Sequence, residues 1–107
     1  MFKIENNQIW LTRGDTAEFR PIIEDYEIQE GDQVVFAVKR TTNNETPDIR
    51  IASPAGDNIE FNNETTSTLS IGSYLYELKL ETVDGDISTF ASGRFNLLGD
   101  LDNGTSN

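Results

Sequence analysis

Between Ser67 and Leu97 the chain alternates apolar and polar side chains with period two, and this alternation dictates a sheet. Tyr74, Tyr76, Leu78, Leu80 and Thr82 fall on one face, and Glu77, Lys79 and Glu81 on the other. Asp84-Gly85 follows, a dipeptide suited to the two positive-φ positions of a type I′ turn. A two-residue loop there pairs Thr82 with Ile87, Leu80 with Thr89 and Leu78 with Ala91, all on the apolar face. The same register places Phe90 outward, beside Lys79. The run thus reads as a turn, a long strand, a hairpin and two further strand segments.

The rest of the chain repeats this grammar. Short strands are predicted at Phe2 to Ile4 and Gln8 to Leu11, with Asn6-Asn7 as the turn between them. Thr16 to Ile23 is a strand with Ala17, Phe19 and Ile23 inward. Pro21 cannot donate to a ladder, so this strand sits at an edge or carries a bulge. Gln33 to Lys39 places Val34, Phe36 and Val38 on one face. Val35 and Ala37 make its other face apolar, as expected of a central or covered strand. Ile49 with Ile51, and Ile59 with Phe61, mark two more. Residues 41–46 and 62–68 read as polar loops. Gly-Asp recurs at residues 14–15, 31–32, 56–57, 85–86 and 99–100, each time at a strand boundary, where Gly takes the strained turn conformation and Asp bonds local backbone. No stretch keeps a helical period. Gly72-Ser73-Tyr74-Leu75-Tyr76 resembles the corner at which immunoglobulin-like domains place a Tyr two residues before an inward position. The expectation is an all-β protein, an immunoglobulin-like antiparallel β-sandwich of seven to nine strands. Its single domain spans residues 1–99, and residues 100–107 form a flexible tail or linker.

Composition narrows the function. Cys and His are both absent, which removes disulfides, thiolate nucleophiles, imidazole bases and zinc sites built on either residue. The formal charge is −11, and the few basic residues are dispersed, with only Lys39-Arg40 adjacent. Phosphate backbones and anionic lipid surfaces attract clustered Lys and Arg, so neither nucleic acid nor membrane is an expected partner. No apolar run approaches the ~20 residues of a membrane helix, and Met1 to Glu5 has no signal-peptide core. The chain therefore reads as soluble and made in a cytoplasm.

Several short motifs match patterns that carry chemistry in other proteins. Arg13-Gly14-Asp15 spells an integrin-binding tripeptide, but its Gly-Asp is the turn pair found four more times. Asp84-Gly85-Asp86 and Asp100 to Gly104 resemble fragments of calcium loops without the spacing of one, so solvated turns are expected there. Asn44-Glu45-Thr46, Asn63-Glu64-Thr65 and Asn103-Gly104-Thr105 match the glycosylation pattern and are expected to be inert loop residues. Carboxylates are too numerous for any pair to stand out as a glycosidase dyad. No catalytic residue, cofactor or metal ligand is assigned. Among the aromatics, Tyr74 and Tyr76 point inward. Trp10 points opposite to Ile9 and Leu11, and Phe90 lies on the outer face. Trp10 and Phe90 are therefore the candidate interface residues, since exposed apolar groups mark protein contacts.

Residues 11–19, 31–39, 68–78, Asp84-Gly85-Asp86 and Gly93-Arg94-Phe95, taken as an ordered set, resemble the N-terminal immunoglobulin-like domain of baseplate upper proteins and related tail proteins of phages and prophages of Gram-positive hosts. The resemblance spans about residues 8–100. Members of that family continue into helical and distal domains, whereas this sequence ends at Asn107. The resemblance implies a sandwich that mounts a larger, often trimeric, receptor-binding assembly on a virion, and it carries over no catalytic residue. The expected function is a non-enzymatic assembly module of a tail or baseplate particle. Its partners would be other virion proteins or copies of itself, and its location the virion or the host cytoplasm during assembly. The alternative is a carbohydrate-binding or adhesion module of a bacterial surface protein.

Overall fold

The computed structural model describes residues 1–40 and 46–99. The expected tail at 100–107 and most of the polar loop at 41–46 lie outside the described residues. Among the described residues, eight strands and one helical turn follow one another: β1 (Phe2–Glu5), β2 (Gln8–Thr12), β3 (Ala17–Phe19), β4 (Gln33–Lys39), β5 (Ile49–Pro54), β6 (Ile59–Phe61), α1 (Asn63–Thr66), β7 (Gly72–Glu81) and β8 (Ile87–Leu98). Six strands form one sheet in the order β1-β2-β8-β7-β4-β5, and β3 pairs with β6 in a second. The protein is an all-β, immunoglobulin-like sandwich, in which β4, β5, β7 and β8 run as strands C, C′, F and G, and β3 and β6 as B and E.

One pairing departs from the antiparallel expectation. β2 lies parallel to β8, with Ile9 opposite Phe95 and Leu11 opposite Leu97. Ile9, Leu11, Phe95 and Leu97 are all buried, so parallel pairing lets β2 seal the edge of β8 with its apolar face turned inward. β1 then folds back on β2 through Asn6-Asn7, whose φ values of 51° and 61° are those of a type I′ turn.

That turn type, expected at Asp84-Gly85, is not found there. Only Gly85 has a positive φ, of 94°, and Asp84 does not. Gly85 N–H donates to the Thr82 carbonyl at 2.9 Å, and Thr82 N–H donates to the Asp86 carbonyl at 2.8 Å. The loop is therefore a three-residue type I turn closed by a glycine bulge. Thr82 selects it, because its Oγ1 accepts the Asp86 N–H at 3.0 Å. The odd loop length shifts the register by one residue. Leu80 faces Ser88, Lys79 faces Thr89 and Glu81 faces Ile87. A bulge between Leu78 and Lys79 leaves Phe90 without a partner and restores Leu78 opposite Ala91 as expected. β8 is thus one continuous strand rather than two segments.

The faces of β7 are as expected, with Tyr74, Tyr76, Leu78 and Leu80 buried. β4 lies between β5 and β7, which explains its two apolar faces; Val35 and Val34 are both buried. β3 stops at Phe19, two residues before Pro21, and belongs to a sheet in which every strand is an edge. Ile23 still packs against the core from beyond the strand. The loop expected at 62–68 contains the helical turn α1, capped by Asn62, whose side chain accepts the Thr65 N–H at 3.0 Å while Thr65 Oγ1 accepts the Asn62 N–H at 3.0 Å.

Phe36 occupies the centre of the core. Its ring lies 5.6 Å from Phe19 and Phe61, 5.7 Å from Tyr76 and 6.2 Å from Phe95. Immunoglobulin domains place a Trp on strand C against a disulfide joining strands B and F. Here Phe19, Phe36 and Tyr76 on those three strands connect the sheets with rings alone. Tyr74 completes the expected corner, its hydroxyl donating to the Ser70 carbonyl at 2.5 Å.

Candidate interaction surfaces

The Arg13-Gly14-Asp15 tripeptide is folded down rather than presented. Arg13 Nη1 donates to the Leu69 carbonyl at 3.4 Å, and Gly14 N–H donates to Thr66 Oγ1 at 2.8 Å. The Gly14 carbonyl accepts from Asn63 Nδ2 at 3.0 Å, and the Asp15 carboxylate pairs with the Met1 amino group. These bonds fasten the end of β2 to α1. The bond to Gly14 gives Asn63 a structural role inside its glycosylation pattern, and Thr65 of the same pattern has its own in the cap with Asn62. Asn44 and residues 103–105, which belong to the other two patterns, lie outside the described residues.

Trp10 stands on the outer face of the six-stranded sheet, opposite to the buried Ile9 and Leu11, as expected. Its neighbours across the ladder are Lys3 on β1 and Asn96 on β8. The Lys3 ammonium lies 5.2 Å from the indole centroid and also pairs with Glu5 at 3.2 Å. On the other side the face is built of polar side chains. Asn96 Nδ2 donates to the Ile9 carbonyl at 3.2 Å and to Gln8 Oε1 at 3.4 Å. Arg94 Nη1 donates to Ser73 Oγ at 3.2 Å. The half-buried indole is thus clamped in place with part of its surface left to solvent.

Phe90 does not join it. The expected outward position beside Lys79 belongs to Thr89, and the bulged Phe90 leans its ring partly onto the core. Asn96, the neighbour of Trp10, lies six residue steps along the strand from Phe90, about 20 Å at ~3.4 Å per residue. Trp10 and Phe90 therefore belong to separate regions.

A second region was not anticipated. At one end of the sandwich, the loops at residues 20–32, 54–58 and 82–86 converge on Asp32, which is only 2% exposed. Asp32 Oδ2 accepts the Tyr26 hydroxyl at 2.6 Å and the Gln29 N–H at 2.8 Å. Oδ1 accepts the Val83 N–H at 2.9 Å, and the Asp32 carbonyl accepts the Ala55 N–H at 2.9 Å. One residue thus ties all three loops together. The sequence places Asp32 in a Gly-Asp turn bonding its local backbone, as it does at Gln29; its ties to the other two loops are not foreseen, and the one signal for them is its place immediately before a strand apolar on both faces.

The hydroxyl of Tyr26 and the backbone N–H groups favour the charged form of Asp32 and hold its carboxyl below the usual carboxylate range. The same bond, with Asp84 and Asp86 nearby, pushes the Tyr26 phenol up to about 12. A depressed carboxyl contributes stability above its unfolded pKa and loses it as pH falls toward the folded one. A raised phenol contributes below its unfolded value near 10 and loses it between 10 and about 12. An Asp32→Asn variant is therefore expected to melt well below the parent between pH 5 and 9, with the gap closing below pH 4. Thermal melts of both proteins across that range check this; a gap that persists unchanged at pH 3 contradicts it.

A shallow hollow of about 550 Å³ lies between β5 and β6, lined by Arg20, Ile51, Pro54, Asp57 and Glu60 among others. The hydroxyl of Ser53 on its wall already donates to the Asn58 carbonyl at 3.1 Å. Among the described residues no group of three or more acidic side chains is placed to hold a metal ion. No protein-family model matches the chain, and no curated protein matches it significantly.

Proposed function

We propose that this domain is a non-enzymatic binding module that contacts another protein chain through the outer sheet face around Trp10. The observation that carries this reading is the clamped, part-exposed indole between Lys3 and Asn96 on an ordered sheet. A Trp whose rotamer is already held loses little entropy on binding, and Trp is enriched among residues that dominate interfaces. The likeness of the sequence to tail-baseplate domains makes a phage or prophage particle the assembly in question and the virion its location. Trp10→Ser is expected to weaken capture of the tail proteins encoded beside this one by at least about tenfold, leaving the melting temperature nearly unchanged. Unaltered capture with the variant would remove Trp10 from the interface.

A second reading rests on the amides beside the indole. Gln8, Asn96 and Ser73 offer hydrogen-bonding groups next to an aromatic face, an arrangement that suits a sugar ring. Titration with cell-wall oligosaccharides separates the two, since binding lost in Trp10→Ser supports the carbohydrate module.

A further inference from the structure

Four of the exposed large apolar residues lie in or beside the three converging loops: Ile22, Ile28, Val83 and Ile87. Contacts bring two of them into one region. Ile28 Cδ1 lies within 3.7 Å of where a β-carbon on Gly56 would stand, and Val83 Cγ2 within 3.0 Å of the equivalent point on Gly31. Ile28 therefore sits over residues 54–58, and Val83 sits over the end of residues 20–32. Ile87 directly follows the hairpin loop and is 63% exposed, against 59% for Val83 and 42% for Ile28. Asp32 holds the backbone at Val83 itself, at Gln29 beside Ile28 and at Ala55 beside Gly56, so the loops that carry Ile28 and Val83 are tied to one another.

Around this apolar centre the charge is predominantly negative, with Arg20 beside Asp57 as the exception. Glu24, Asp25, Glu27, Glu30, Asp57, Asp84 and Asp86 are exposed, and Arg20 at the foot of the first loop is the sole basic residue in the three segments. Asp84 and Asp86 stand on the hairpin loop directly after Val83, which Asp32 ties to the first loop, so these acids adjoin the apolar centre.

We propose that this loop end is a preformed docking surface for a basic region of another protein, with Ile28 and Val83 as apolar anchors and Glu27, Glu30, Asp84 and Asp86 as the charged rim. Charge complementarity selects the occupant. A second copy of the chain would bring the same acids against these, which opposes self-association. A partner with Lys or Arg around an apolar centre satisfies both parts of the surface at once, with the charged rim steering approach and the buried anchors holding the complex. This surface lies apart from the Trp10 face and stands or falls independently of it.

The test uses the whole chain, immobilised, against a displayed library of random peptides. The selected peptides are expected to carry net positive charge around a Leu, Ile or Phe. Affinity is expected to fall about tenfold in Ile28→Ser or Val83→Ser. It should also fall in Asp84→Lys, and weaken as ionic strength rises from about 0.05 to about 0.5 M. Trp10→Ser should leave it unchanged. Melts of each variant establish that the fold is retained, and amide chemical shifts of residues 26–31 and 82–87 report the contact directly in the unmodified chain. Peptides that are neutral or acidic, binding equal in the loop variants and the parent, or shifts confined to the Trp10 face would each overturn the proposal. So would dimerisation through Val83, or shifts of the Asp84 and Asp86 amides produced by calcium chloride alone with no peptide response.

Discussion

Phe36→Ala is expected to destabilise the domain by about 3–5 kcal/mol, measured as the change in free energy of urea unfolding. Phe36 is 0% exposed and touches rings from both sheets: Phe19 and Phe61 on the small sheet, Tyr76 and Phe95 on the large one. Removing the ring leaves a cavity that four other aromatic side chains cannot fill without leaving their rotamers. With no cysteine in the chain, no covalent link between the sheets compensates. Phe36→Leu keeps most of the volume and is expected to lose roughly half as much. A loss under about 1 kcal/mol for the alanine variant would show that the two sheets are held together elsewhere.

Gly93→Ala should lose on the order of 3 kcal/mol or undock the β1–β2 hairpin. The sign is the diagnostic part, because replacing a strand glycine ordinarily stabilises by ~0.4–1 kcal/mol. Here a β-carbon would stand 1.7 Å from the Asn7 carbonyl oxygen, 2.9 Å from its carbon and 3.1 Å from Tyr76 Cε2. The carbonyl cannot rotate aside cheaply. Asn7 and Asn6 both sit at positive φ in a two-residue turn whose strands are already paired from Phe2 to Leu11. Buried Tyr76 closes the other side. Denaturant unfolding gives the magnitude, and amide exchange at Phe2–Glu5 shows whether the hairpin has left the sheet. A Gly93→Ala protein as stable as the parent would mean that the turn does not pack on β8.

The candidate interaction surfaces were legible to different degrees. The outward direction of Trp10 followed from the period-two pattern, because Ile9 and Leu11 on either side of it are core residues. The direction of Phe90 did not. It depended on the register of the hairpin, and that register was altered by a hydroxyl at Thr82 and a one-residue bulge. Asp32 and the loop end it organises left almost no trace, because its partners Tyr26, Gln29, Ala55 and Val83 come from three separate loops.

Local chemistry determined which residues became strands and which face of each turned inward. Alternation along β4 and β7 requires Val34, Phe36, Val38, Tyr74, Tyr76, Leu78 and Leu80 to share one buried face, whatever neighbours those strands acquire. Turn residues placed the breaks between strands, and the Tyr74 corner followed from its spacing to Tyr76. Tertiary structure decided what nearest-neighbour sequence cannot encode. The parallel pairing of β2 with β8 depends on which sheet edge is left open once the other strands have paired. The need for glycine at position 93 arises from a carbonyl eighty-six residues away in sequence. The burial of Asp32 depends on three loops meeting at one end of the sandwich. Alternation is a property of adjacent side chains and is written into the chain; the distances between remote loops exist only after the sheets have closed.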